Sequence, residues 1–212
     1  DHPPSSTSVI SHIRRATQGA HTLGNCQPFA RELGGRMHVF AHNGHLDPSR
    51  LREAFPPGAC RPVGETDSET AFCALLERLR APWLKTGGIP PFEHRWDIVS
   101  AFAAEMRALG PATFLYADSD VLYVHAHRRM HGDAGIRPPG LHMIERRCPA
   151  GEHSWKALGL AIGSNVDEQR VLLAASVPLT DEAAWQALGE GELVAVRAGE
   201  IVRRARPASQ SA

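Results

Sequence analysis

Strand and helix patterns occur in separate blocks along this 212-residue chain, and this order limits the folds open to it. Two segments, residues 66–80 and 96–109, carry apolar residues at helical spacing. Segments rich in β-branched residues come before and after this pair and do not alternate with single helices. Such an order argues against a doubly wound parallel sheet. It predicts an α+β protein with layered antiparallel sheets and helices outside them.

The remaining elements are predicted from periodicity and from turn residues. Strands are predicted over residues 8–14, 37–41, 113–117, 121–127, 141–147, 158–162, 171–177, 193–196 and 201–202, the last two joined by a turn at Ala198-Gly199. Short helices are predicted after Asp47-Pro48 and over residues 180–188, and loops over 15–36 and 82–91. Residues 1–206 are expected to form one domain, followed by a polar tail at 207–212.

Composition excludes several classes of function. Hydrophobic residues make up 42% of the chain and charged residues 22%, as in an ordinary globular protein. The 23 basic side chains balance the 23 acidic ones, which speaks against a nucleic-acid or membrane-surface partner. No apolar run approaches a membrane span, and the four cysteines form no C-x-x-C pair. These features predict a cytoplasmic protein with reduced thiols.

Arg14 and Thr17 are candidates for binding a carboxylate. Arg14 ends a predicted strand, and Thr17 follows it in a glycine-bounded loop. An arginine grips a carboxylate through two parallel hydrogen bonds, and a nearby hydroxyl adds a third donor. Both residues also have simpler explanations, as an exposed arginine and as a hydroxyl that closes a turn on its own backbone.

Asn43-Gly44 ends the second predicted strand. This pair is preferred in tight β-hairpins, but here Asp47-Pro48 opens a helix where the return strand would be needed. A side-chain amide next to a backbone N–H is also an arrangement that suits an oxyanion hole. Asn43 and Gly44 are therefore candidate oxyanion donors.

Asp67 lies at the start of the first long helical pattern. Thr66-x-x-Glu69 is a capping-box sequence, which by itself explains acidic and hydroxyl residues at this position. A carboxylate that projects from a helix start can also receive a ligand's ammonium group. The two roles are compatible, and both stay open.

The twelve histidines raise the question of a metal. His125 and His127 share one face of a predicted strand, and His42 and His45 flank Asn43-Gly44. No pair has a zinc-specific spacing, and no cysteine cluster accompanies them. We expect scattered, hydrogen-bonded or solvated histidines, with no metal and no cofactor.

Taken together, four motifs resemble those of the class II glutamine amidotransferase domain, a branch of the N-terminal nucleophile hydrolases. They are His12-Ile13-Arg14 through Gly19, Asn25 with Pro28-Phe29, His42-Asn43-Gly44, and Glu65 through Glu69. The resemblance implies a four-layer αββα sandwich. It also implies that Arg14 and Thr17 bind the α-carboxylate of glutamine, that Asp67 binds its α-ammonium, and that Asn43 and Gly44 form the oxyanion hole.

The chain departs from this family at its start. The family uses a cysteine at the mature N-terminus, activated by its own α-amine, whereas this sequence begins at Asp1. We therefore expect that the first strands and the nucleophile are missing and that the 212 residues alone release no glutamate from glutamine. Cys26 has no free amine to replace that nucleophile. Missing strands would expose apolar surface, so a homo-oligomer or a covering partner is expected.

The predicted function is hydrolysis of glutamine or another γ-glutamyl amide through a glutamyl thioester, once the nucleophile is supplied. The ammonia acceptor is left open. One alternative is hydrolysis of a γ-glutamyl peptide in a small-thiol pathway. A second is a non-catalytic domain of the same fold that binds a ligand or a partner, and a zinc-dependent hydrolase is a distant third.

Overall fold

The computed structural model describes residues 8–13, 22–157 and 160–207. Within these residues the helices are α1 (Pro48–Ala54), α2 (Asp67–Thr86) and α3 (Phe92–Leu109). The first six strands are β1 (Phe29–Leu33), β2 (Arg36–Gly44), β3 (Ala112–Ala117), β4 (Leu122–His125), β5 (Arg129–Met130) and β6 (Ile136–Arg137). The others are β7 (His142–Ala157), β8 (Leu160–Ala175), β9 (Gln186–Ala187), β10 (Leu193–Arg197) and β11 (Glu200–Ala205).

The central layer is a six-stranded antiparallel sheet in the order β1-β2-β3-β4-β10-β11. One face of this sheet packs on the helices. Phe40 of β2 stacks on Phe72 of α2, with ring centroids 5.4 Å apart, and Phe114 of β3 packs against Phe102 of α3. All four rings are buried, and they form the centre of the larger hydrophobic core.

The opposite face of the central sheet packs on a second sheet in the order β8-β7-β9. The two sheets share a smaller core whose buried members are Val124, Ala126, Leu141, Met143, Leu188, Val194 and Val196. The described residues thus stack helices, sheet and sheet in that order. The predicted α+β class is confirmed.

Helix α2 has a recognisable capping residue at each end. The Thr66 hydroxyl accepts a hydrogen bond from the Glu69 backbone N–H, and Gly87 ends the helix with a left-handed φ of 65°. The predicted end at residue 80 was too early, because Pro82 lies inside the helix. Trp83, one residue later, is only 1% exposed, and burying this large ring offsets the hydrogen bond that a proline cannot make.

Two glycines explain a strand that the sequence pattern missed. Residues 15–36 were predicted to be a loop, yet β1 lies within this range and pairs with β2. Gly34 and Gly35, with φ of 61° and 77°, form the two-residue turn between these strands. Two successive positive φ values are typical of the tight turns that match strand twist. The glycines that suggested a loop therefore mark a hairpin.

The predicted helix at 180–188 was wrong. Residues 186–187 form β9, which pairs with β7, and the Leu188 N–H donates to the Leu141 carbonyl. The Trp185 indole N–H donates to the Thr180 hydroxyl across the preceding turns. Pairing with β7 therefore overrides the short helical pattern. The predicted strands over 141–147 and 171–177, and residues 160–162 of the strand predicted over 158–162, lie largely in β7 and β8, which pair antiparallel. Residues 158–159 lie outside the described residues, as does residue 14 of the strand predicted over 8–14, and residues 8–13 form no regular strand.

Arg95 joins α3 to the central sheet. Its guanidinium is 2% exposed and lies 2.5 Å from an Asp118 carboxylate oxygen and 2.6 Å from one of Asp120, in the turn between β3 and β4. Its Nε also donates to the Pro90 carbonyl. Because each of these hydrogen bonds satisfies a group that would be costly to bury alone, the cluster fixes where α3 lies on the sheet.

In the described part of the chain, none of the helices combines the length and the apolar character needed to cross a membrane.

Buried His125 gives the fold a predicted dependence on pH. Its Nδ1 donates to the Ala112 carbonyl, Arg107 contacts its Nε2 at 3.2 Å, and burial lowers its pKa to about 3. In the unfolded chain this histidine binds a proton near pH 6.5, whereas in the folded chain it stays neutral at that pH. The contribution of His125 to the free energy of unfolding is therefore fully present above pH 6.5 and is lost as the pH falls. Between pH 6.5 and 5 this residue should cost about 2 kcal/mol of unfolding free energy.

Urea unfolding at the two pH values measures this loss. The His125→Gln variant should lose about 2 kcal/mol less than the wild type between them. His94→Gln, which alters an exposed histidine on α3, should behave like the wild type. Equal losses in all three proteins would contradict the role given to His125.

Candidate functional site

The candidate site lies where β2 ends. Side chains alternate across this strand, so buried His42 faces the helices and exposed Asn43 faces the other way. Ala41, two residues earlier, is paired with Leu115, which packs against the core between the two sheets. Asn43 therefore projects from the same face as that core. Asn43-Gly44 forms the last two residues of the strand and not a hairpin turn.

Gln27 extends the sheet at this point with its side chain. Strand β1 begins at Phe29, opposite Phe40, so it does not reach His42. The Gln27 amide takes its place, accepting from the His42 N–H at 2.6 Å and donating to the His42 carbonyl at 3.1 Å. This satisfies both backbone groups of His42 and ties the loop before β1 to the end of β2.

The ring of His42 joins the strand to α2. Its Nε2 lies 3.1 Å from the Pro111 carbonyl, which can only accept, and its Nδ1 lies 2.9 Å from the Ser68 hydroxyl. The ring hydrogen is therefore on Nε2, and Ser68 donates to Nδ1. Burial lowers the pKa of His42, which keeps the ring neutral at physiological pH.

Asp67 makes a second connection between the same elements. One of its carboxylate oxygens accepts from the Leu46 N–H at 2.7 Å, and the other accepts from the Ser68 N–H at 2.8 Å. His45 lies 3.7 Å away, and the Asp67 side chain is 18% exposed. The carboxylate thus holds the chain after β2 against the start of α2 and remains open to solvent on one side.

The turn that leads into α2 is held by Glu69. Its carboxylate, 1% exposed, accepts from the backbone N–H groups of Val63 and Gly64 and forms an ion pair with Arg31. The predicted capping box is therefore half present. Thr66 caps the helix as expected, but the glutamate reaches back to residues 63–64 and not to the Thr66 N–H.

The loop that carries Asn25 packs against this turn. The buried Asn25 side chain accepts from the Glu65 N–H at 2.9 Å. A Cβ on Gly64 would collide with that side chain and with the Gly24 carbonyl. The close approach requires a glycine at position 64, and it brings two of the sequence motifs into contact.

Gly44 is also required by a close approach. A Cβ at this position would overlap the Pro111 carbonyl oxygen and lie 2.6 Å from His42 Nε2. No other residue type fits there unless the 110–111 turn moves.

The backbone N–H of Gly44 points away from the ladder of strands. The backbone N–H and carbonyl of His42 point toward Gln27, on the β1 side of β2. Backbone groups two residues apart in a strand point the same way, so those of Gly44 also point to the β1 side. Ala112, paired with Gly44, turns its own N–H and carbonyl toward the rings of His127 and His125. Within the described residues the Gly44 N–H and the exposed Asn43 amide are donors without a hydrogen-bond partner, and they lie next to each other.

Three of the five predicted site residues are thus brought to the same end of β2. Asn43 and Gly44 end β2, and Asp67 binds the Leu46 N–H two residues later. Arg14 and Thr17 lie outside the described residues. Sequence reasoning gave no role to Gln27 and Ser68, because neither type has a spacing signal. His42 stood in a motif, but its contact with Ser68 required the fold.

His127 and Cys26 make ordinary structural contacts. The ring of His127 accepts from the Ala112 N–H, and no group of three ligand-type side chains within the described residues is placed to hold a metal ion. Cys26 is exposed, and its thiol donates to the Thr22 carbonyl at 3.4 Å.

Comparison with known proteins identifies the relatives of this chain. The family model for class II glutamine amidotransferases matches residues 1–212. The chain is 35% identical over 195 residues to an Escherichia coli K12 protein named "Putative glutamine amidotransferase YafJ", covering 91% of this chain and 70% of that protein. It is 31% identical over 204 residues to protein MJ1515 of Methanocaldococcus jannaschii, covering 93% of this chain and 52% of that one.

A solved structure of a similar protein has the same fold. The crystal structure of a predicted glutamine amidotransferase from Pseudomonas aeruginosa PA01 superposes with a TM-score of 0.68 at 34% identity, covering 85% of this chain and 66% of that one. The chain thus spans between about half and 70% of the length of these three proteins. The match of the family model over all 212 residues, with relatives above 30% identity, shows that this chain belongs to the class II glutamine amidotransferases.

Proposed function

We propose that the corner formed by Asn43, Gly44 and Asp67 binds the glutamine whose amide the class hydrolyses. The observation that carries this proposal is the pair of neighbouring donors at the end of β2 that have no hydrogen-bond partner within the described residues. Asp67 binds the Leu46 N–H two residues further on, and its carboxylate is partly open to solvent. Binding a free α-amino acid with a side-chain amide calls for such a set, with donors for the carbonyl and an anion for the ammonium group.

Asn43 and Gly44 act on the side-chain carbonyl of the substrate. When a thiolate attacks this carbon, its oxygen gains negative charge, and donors already in position stabilise it without rearranging. Among the described residues, no partner has to be displaced from the Asn43 amide or the Gly44 N–H first. Each such donor is worth about 3 kcal/mol of transition-state stabilisation.

Asp67 receives the α-ammonium group of the substrate. Its carboxylate already accepts two backbone N–H groups, which hold it in one orientation. Arg14 and Thr17 are assigned the α-carboxylate on the strength of the family resemblance, since a guanidinium and a hydroxyl suit that group.

The nucleophile of the proposal is the amino-terminal cysteine that the resemblance implies. None of the cysteines at positions 26, 60, 73 and 148 is amino-terminal. With the thiolate supplied, attack on the γ-carbonyl expels ammonia and leaves a glutamyl thioester, which water then hydrolyses to glutamate. The same clamp would hold other γ-glutamyl compounds, so the acceptor of the ammonia and the preferred amide are matters for the whole protein.

Isothermal titration calorimetry with L-glutamine tests the proposed substrate. The 212-residue chain should bind L-glutamine and not D-glutamine, since the ammonium and carboxylate contacts fix the handedness at the α-carbon. Asp67→Asn should weaken binding at least about tenfold, because a neutral amide cannot pair with the ammonium group.

Asp47→Asn is the matched control for this variant. Asp47 is likewise a carboxylate at a helix start, where it accepts from the Ser49 and Arg50 N–H groups of α1. This variant should bind glutamine as the wild type does. Equal affinity in the wild type and in both variants would contradict the role of Asp67. No heat of binding with the wild type would contradict glutamine as the ligand and would favour a domain that binds some other ligand or a partner.

Ser68→Ala should disturb the site through the buried ring of His42. The change leaves buried His42 Nδ1 without a donor, which should cost about 1–3 kcal/mol of unfolding free energy in a urea titration. Glutamine affinity should fall as well, because His42 precedes the oxyanion donors on β2. Ser49→Ala, on the exposed side of α1, is the control and should change neither quantity. Unchanged stability in Ser68→Ala would count against this hydrogen bond.

A further inference from the structure

Three side chains on one face of α2 hold the segment that precedes the helix. Glu69, Cys73 and Glu77 are spaced four residues apart, so they lie in a row along the helix. Glu77 accepts from the Ala59 N–H at 3.0 Å, and Glu69 accepts from the Gly64 N–H at 2.7 Å. Residues 58–64 are thereby attached to α2 at both ends.

The middle contact of this row is between two thiols. Cys60 Sγ lies 2.9 Å from Cys73 Sγ, and both are reduced. A disulfide requires about 2.05 Å between the sulfurs, so the pair is within about 0.9 Å of bonding distance. Cys73 is 5% exposed and Cys60 is half-buried, so an oxidant meets Cys60 first.

The surroundings make Cys60 the reactive member of the pair. A hydrogen bond from the Cys73 thiol, helped by the Arg31 guanidinium, lowers the pKa of Cys60 to about 7. The same hydrogen bond, with burial, raises the pKa of Cys73. Near neutral pH a large share of Cys60 is therefore thiolate, the form that reacts with oxidants.

We propose that Cys60 and Cys73 form a reversible dithiol–disulfide site whose oxidant is a peroxide. The Cys60 thiolate attacks one peroxide oxygen, the O–O bond breaks, and Cys60 becomes a sulfenic acid as hydroxide takes up a proton to leave as water. The Cys73 sulfur then attacks the sulfenyl sulfur and loses its proton. Its S–S bond replaces the S–O bond, and a second water leaves. In total two thiols and one hydrogen peroxide give one disulfide and two waters.

The disulfide would fasten the approach to the candidate site. Residues 58–64 run directly into Glu65 and Thr66, and then into Asp67. A covalent link in the middle of the row removes the freedom of this segment to leave α2. The two sulfurs lie together without a ligand in place, so formation of this disulfide does not depend on glutamine binding.

Oxidation of the purified chain tests the site. Reduced protein is treated with one equivalent of hydrogen peroxide, alkylated, and analysed by intact mass and peptide mapping. We expect a loss of about 2 Da, a linked pair of peptides containing Cys60 and Cys73, and reversal by dithiothreitol. The link should form at least about tenfold faster in the native chain than in urea, because folding raises the effective concentration of one thiol at the other.

Variants separate the roles of the thiols. Cys26→Ser, which removes an exposed cysteine, should oxidise like the wild type, and Cys73→Ser should leave a Cys60 sulfenic acid that dimedone traps. The oxidised wild type should melt several degrees higher than the reduced form, about the shift expected when a short loop is closed. Failure to find the linked peptide, or equal rates in native and unfolded chains, would overturn the site. An unchanged melting temperature after oxidation would overturn its role as a fastening.

Discussion

The hydrogen bond between the His42 ring and the Ser68 hydroxyl is the contact on which the arrangement of the site depends. It joins the end of a central strand to the first turn of α2, and it is buried. Its direction is fixed by the Pro111 carbonyl, which takes the hydrogen of Nε2 and leaves Nδ1 as an acceptor. Because burial keeps the ring neutral, the contact survives over the whole physiological pH range. Asn43 and Gly44 directly follow His42 on the strand, so fixing His42 also fixes where their N–H donors lie.

The other parts of the corner are held by carboxylates that bind backbone N–H groups. Asp67 holds the residue after the strand, and Glu69 holds the turn before the helix while it pairs with Arg31. Each carboxylate thus positions a loop whose backbone would otherwise be satisfied by water. The proposed disulfide site belongs to the same row of helix side chains as Glu69. The same helix therefore holds the segment that precedes it and places Asp67, the candidate substrate-binding carboxylate.

The sequence predicted what depends on local pattern and missed what depends on tertiary pairing. The apolar spacing of Phe72 and Phe102 identified the two long helices, and the block order identified the α+β class. The position of Asn43-Gly44 at the end of a strand was predicted, and its exclusion from a hairpin followed from the helix start at Pro48. The role of Gln27 as a substitute for a strand could not be predicted, because a side chain that satisfies backbone groups 15 residues away leaves no periodic signal. The helix predicted around Trp185 was wrong for a related reason, since pairing with β7 prevailed over local preference.

The most direct test of this account is a glutamine titration followed by nuclear magnetic resonance of the ¹⁵N-labelled chain. The side-chain amide signals of Asn43, assigned by their loss in Asn43→Ala, and the backbone signal of Gly44 should shift together and saturate at one affinity. Signals of the turn at residues 198–199, which joins β10 and β11 at the opposite edge of the central sheet, provide an internal reference. If glutamine binds while the Asn43 amide and the Gly44 N–H do not respond, the two residues are not the donors that hold the substrate carbonyl, and the central claim is contradicted.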